Sequence, residues 1–95
     1  MSNRDAYEKK LRAQIDEWKA DIAKLEARAR SMQADAQADA EKEMAKLREK
    51  QDEMLAELKK VQQASDTAWD DMRKGAEESW AAMSKAMKSA FSRFG

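Results

Sequence analysis

Histidine and cysteine are both absent from this chain, so any reaction or metal chemistry would have to rest on carboxylates, lysines and aromatic rings. The carboxylates that cluster do so as immediate neighbours: Asp16 with Glu17, Asp70 with Asp71, and Glu77 with Glu78. On a helix, neighbours in sequence diverge by about 100°, so none of these pairs converges on a cation. Nor is there a Gly-rich stretch to cradle a phosphate, since the two glycines stand apart at Gly75 and Gly95. The expectation is a protein that is not an enzyme, with no catalytic residue, cofactor or metal site.

The chemistry that remains is that of a surface. Trp69, Met72, Ala76, Trp80, Met83, Met87, Phe91 and Phe94 repeat an apolar pattern at a spacing of eleven. At 3.67 residues per turn such a repeat keeps one apolar stripe nearly straight along a helix. Charge along this segment is polarised. Asp66 to Glu78 carries five acids against Arg73 and Lys74, whereas Ser79 to Gly95 carries Lys85, Lys88 and Arg93 and no acid. A basic, aromatic and Met-rich stripe suits an anionic lipid surface, with Lys85, Lys88 and Arg93 as its contacts. The same stripe would also fit the apolar groove of a helical protein partner, or the core of a bundle.

Charged residues make up 40% of the chain and aromatic residues 6%, a bias typical of long helices and coiled coils. The expected fold is therefore all-α. Ser2 or Asn3 can cap the first helix, with Asp5 in its first turn. Leu11, Ile15, Trp18, Ile22, Leu25, Ala29, Met32 and Ala36 then alternate spacings of four and three, which is a heptad seam. The seam resumes at Met44, Leu47, Gln51, Met54, Leu58 and Val61, with the polar Gln51 at an a position. Residues 33–40 between the two runs hold no large apolar side chain, and read either as a stutter in one continuous helix or as the tip of a helical hairpin. Good helix formers and the absence of glycine and proline favour the continuous helix. Ser65, Asp66 and Thr67 are all N-cap types, and Thr67 with Asp70 makes an acidic capping box, so a bend is expected there.

Two segments result: a coiled-coil helix over 1–64 and an amphipathic helix over 65–95. An extended helix of this kind buries nothing alone. Leu11, Ile15, Trp18, Ile22, Leu25, Met32, Met44, Leu47, Met54, Leu58 and Val61 are accordingly expected to form the seam of a homo-oligomer. Nineteen basic residues balance nineteen acidic ones, which disfavours nucleic acid as a partner. Met1 to Lys10 is unlike a signal peptide, and no stretch has the ~18 apolar residues of a membrane span. The expected location is cytoplasmic, peripheral to a membrane if the stripe binds one.

Two strings carry a family likeness. SNRDAYEKKLRAQIDEWKADIAKLEA, from Ser2 to Ala27, and QASDTAWDDMRKGAEESW, from Gln63 to Trp80, resemble short bacterial coiled-coil proteins associated with stress response in cyanobacteria and found in other bacteria too. Residues 28–60 match only in helical character. The resemblance implies a small helical protein, cytosolic or peripheral, linked to stress, with no catalytic residues to carry over.

Overall fold

Heptad faces this regular need covering, and the chain covers them by folding back twice. A computed structural model describes residues 3–95 and is all-helical: α1 spans Asn3–Ala29, α2 Ala34–Gln63 and α3 Trp69–Phe94. Ser2, one of the two cap candidates, lies outside the described residues. The bundle measures 51 × 20 × 18 Å, close to the ~45 Å expected of a 30-residue helix.

The first reversal replaces the continuous helix. α1 ends at Ala29 and the chain turns through residues 30–33, which overlaps only the first residue of the 33–40 segment. Three-residue hydrogen bonds tighten its exit: the Ser31 amide donates to the Arg28 carbonyl at 3.1 Å and the Met32 amide to that of Ala29 at 3.1 Å. The Ser31 hydroxyl also donates to the Arg28 carbonyl, at 2.8 Å. Gln33 is extended (φ −62°, ψ 155°), and α2 starts behind it. Arg28 in the last turn of α1 and Asp35 in the first turn of α2 each face the dipole end that favours their charge. Helix propensity spans less than ~1 kcal/mol per residue outside proline, so two interlocking apolar faces outweigh it.

The second reversal lies where the bend is expected, but it is built differently. Ala64 is extended, and Ser65 closes the turn ahead of the helix: its hydroxyl accepts the Ala68 amide at 3.3 Å and its carbonyl accepts the Trp69 amide at 2.9 Å. The helix proper starts behind Ala68 without a side-chain cap, so the Thr67/Asp70 box is not formed.

Partners along the helices fix their directions. Arg4 meets the end of α2 and Glu26 meets Arg48, so α1 and α2 run antiparallel. Glu43 meets Arg93 and Glu57 lies beside Gly75, so α2 and α3 do as well. α2 packs along both neighbours, whereas α1 and α3, which run parallel, approach each other at few positions. The core consists of Leu11, Ile15, Trp18, Ile22 and Leu25 from α1, Met44, Leu47, Met54, Leu58 and Val61 from α2, and Ala76, Met83, Met87 and Ala90 from α3. Gln51 is buried among them, 6% exposed.

Arg4 closes the end of the bundle. Its guanidinium donates to the carbonyls of Val61 at 3.1 Å, Gln62 at 3.3 Å and Ala64 at 2.5 Å, and pairs with Asp66 at 3.3 Å. They lie at and just past the end of α2, where carbonyls run short of intrahelical donors; that of Val61 also accepts the Ala64 amide at 3.4 Å. Charge-assisted bonds from a partly exposed side chain are worth about 1 to 2 kcal/mol together once solvent screening is allowed for. Arg4→Ala is therefore expected to lower the thermal midpoint by several degrees. Arg4→Lys, whose single nitrogen cannot meet the three carbonyls and the Asp66 carboxylate together, recovers only part of the loss, and calorimetry of the three proteins measures it.

Candidate functional site

The eleven-residue stripe of α3 is the feature with a claim to function, and the bundle uses most of it. Met83 and Met87 are buried with Ala76 and Ala90, while Trp69, Met72, Trp80 and Phe94 are half-buried against the core. Phe91 departs from the stripe. The packed face passes from Met87 to Ala90 to Phe94, a heptad step, and leaves Phe91 outside at 38% exposure. The eleven-residue step from Trp80 thus fails at Phe91, and the small Ala90 takes the buried position where the pattern offers a phenyl ring.

The oligomer seam is likewise covered from within. Ten of its eleven residues are buried by the chain's other helices, so an extended monomer with a bare seam, the premise of that expectation, does not exist here. Met32 is the exception. It lies in the turn, half-buried. Ala36, in the same heptad run, is exposed, and Ala40 takes the buried position one turn later.

Two aromatic pairs bridge α1 and α3. Tyr7 meets Trp69 edge to face with centroids 5.7 Å apart, and Trp18 meets Trp80 at 5.4 Å with planes at 68°. Such large side chains hold the two backbones apart, which is why α1 and α3 touch so little elsewhere. A cleft of about 320 Å³ opens between them, lined by Tyr7, Lys10, Glu77 and Trp80. Two further clefts, of about 470 and 360 Å³, lie along α1 and α2 and have mostly charged linings.

Beneath the first cleft the polar balance is incomplete. The Tyr7 hydroxyl and the Trp69 indole Nε1 are both buried with no hydrogen-bond partner, and an unpaired buried group costs about 1 to 3 kcal/mol. Burial, with Glu77 nearby, raises the Tyr7 phenol above its ordinary range, against the opposing effect of Arg73. The phenol is thus a neutral donor at ordinary pH. Arg73 stacks over the Trp69 ring at 5.7 Å and bonds Glu77 at 2.6 Å.

The basic residues of α3 separate. Lys85 and Lys88 are exposed and form no ion pair among the described residues. Arg93 turns the other way, pairing with Glu43 of α2 at 3.5 Å and lying 4.8 Å over the Phe94 ring. It is therefore committed within the bundle in a way the two lysines are not. Tyr7 is a site residue that the sequence pattern does not single out. Its place on the flank of the heptad, one turn before Leu11, is the only signal it gives.

Among the described residues no group of three or more acidic, His or Cys side chains is placed to hold a metal ion, and no helix is long and apolar enough to cross a membrane. Geometry and side chains together define an up-down-up three-helix bundle with an aromatic seam between its first and third helices. Compared with protein-family models, curated proteins and solved structures, the chain finds no match.

Proposed function

We propose that the protein is a non-enzymatic interaction protein that coats an apolar, anionic surface, such as a membrane, with the stripe of α3, which the free protein keeps as bundle core. The observation that carries this reading is the contrast between helices. Leu11, Ile15, Ile22, Leu25, Leu58 and Val61 are sealed at 2% exposure or less, whereas the largest side chains of α3, Trp69, Trp80, Phe91 and Phe94, are the ones left partly or openly outside. Phe91 stands one turn from the unpaired Lys88, in a segment without acids. Ring and cation together match an interface where apolar chains lie below anionic headgroups. The family-like strings add a setting, stress response, in which surfaces need temporary cover. Self-association belongs to the same reading, since copies opened on a surface expose seams able to pair with one another.

Tryptophan emission tests the proposal. In a Trp18→Phe variant only Trp69 and Trp80 report, and their emission is expected to move to the blue on adding vesicles that contain anionic lipid. Phe91→Ser leaves the core intact and is expected to weaken binding by roughly fivefold, because burying the remaining ring surface contributes about 1 kcal/mol. Emission unchanged by vesicles at both low and moderate salt would show that the stripe serves the bundle alone. Capture of one protein without vesicle binding would favour an adaptor whose α3 completes a partner's bundle.

A further inference from the structure

Resting on that lipid-surface reading, we infer that the bundle meets an anionic phospholipid surface by parting along one seam, between α1 and α3, while α2 keeps both neighbours. The three apolar faces then spread into a single layer, and the core becomes the lipid-facing side.

Four observations point to this seam. α1 and α3 approach each other least of the three helix pairs. Three polar ties between elements run to α2 or to the connection after it: Arg4 to the carbonyls of Val61, Gln62 and Ala64, Arg48 to Glu26, and Arg93 to Glu43. Both turns, at 30–33 and 64–68, join α2 to one neighbour, so no covalent connection spans the seam between α1 and α3 and the helices can part without unwinding. Finally, the closed seam leaves the Tyr7 hydroxyl and the Trp69 indole N–H buried without partners. At a lipid boundary the rings would stay in apolar surroundings while these polar tips meet water and headgroups, which is the preferred place of Tyr and Trp. Lys10, on the rim of the cleft, and Lys85 and Lys88 on α3 supply the charge an anionic headgroup layer attracts.

The chain has no cysteine, so pairs can be introduced cleanly. Lys10→Cys with Glu77→Cys places thiols on the two exposed rims of the cleft, and a short thiol-cleavable bis-maleimide then ties α1 to α3. Glu57→Cys with Gly75→Cys ties α2 to α3 instead, at a point where a Cβ on residue 75 would lie 3.1 Å from the present Glu57 carboxylate. Co-flotation with vesicles of equal parts phosphatidylglycerol and phosphatidylcholine reads binding, and circular dichroism confirms that each protein is helical before and after tethering. The α1/α3 tether is expected to reduce vesicle binding about tenfold or more, with recovery on cleavage, while the α2/α3 tether leaves it within about twofold. If the α1/α3-tethered protein floats like the untethered one, the closed bundle binds and the seam inference is overturned. If both tethers abolish binding, α3 departs from both neighbours and the inference is again overturned. A wild-type protein that fails to float defeats the lipid-surface reading itself, and the seam with it.

Discussion

Ile22→Asp is expected to abolish the helical fold at every protein concentration. Ile22 is fully enclosed, so the new carboxylate would lie in the core without a partner, at a cost of several kcal/mol. At ~0.05 to 0.15 kcal/mol per residue a domain of this length has about 5 to 14 kcal/mol in all. A thin core, whose α3 share is only methionine and alanine, belongs at the lower end, and the variant should unfold. Circular dichroism with sedimentation equilibrium decides between this outcome and an intermolecular role for the seam. If α1 faced a second copy, the charge would disperse an oligomer into helical monomers. With Ile22 enclosed by the chain's own helices, the variant is instead expected to lose its helices, whatever the oligomeric state of the wild type.

Trp18→Ala carries the second large effect. Trp18 is buried in α1 with its ring against Trp80, and truncating a buried tryptophan costs about 3 to 5 kcal/mol. The thermal midpoint is expected to fall by more than roughly 10 °C, and the emission of Trp80 to move to the red as its partner disappears. Trp18→Phe retains a ring at the contact and should lose far less. An alanine variant that melts within a few degrees of wild type would mean that α1 does not pack on α3 at this level.

Periodicity by itself makes the buried faces of α1 and α2 legible, because a heptad states which side of a helix is apolar. It does not state what covers that side. From Leu11 to Leu25 and from Met44 to Val61 the same residues serve an oligomer seam or an intramolecular hairpin equally well, and only the turn distinguishes them. That turn is written faintly. Arg28 and Arg30 followed by Asp35 is the charge order of one helix ending and another beginning, but Met32, Gln33 and Ala34 between them are helix formers, so local preference argues for continuity. Alanine also hides part of α3. Ala76 and Ala90 are buried while Ala81 and Ala82 are exposed, and a residue that is at home on either face adds little to a pattern. Phe91, larger and one residue away from Ala90, therefore sets the apparent period although packing passes it by. The aromatic seam is the least legible element, since it needs two helices in register and no single helix records that.

The central place of α2 bears on how quickly the native state is reached. Its two neighbours in space are its two neighbours along the chain, so nearly all the packing closes short loops, and the few encounters between α1 and α3 can come last. A topology of such low contact order folds on the order of microseconds to milliseconds. Emerging from a ribosome, α1 and α2 can already zip together, leaving the far side of α2 bare until α3 arrives to cover it.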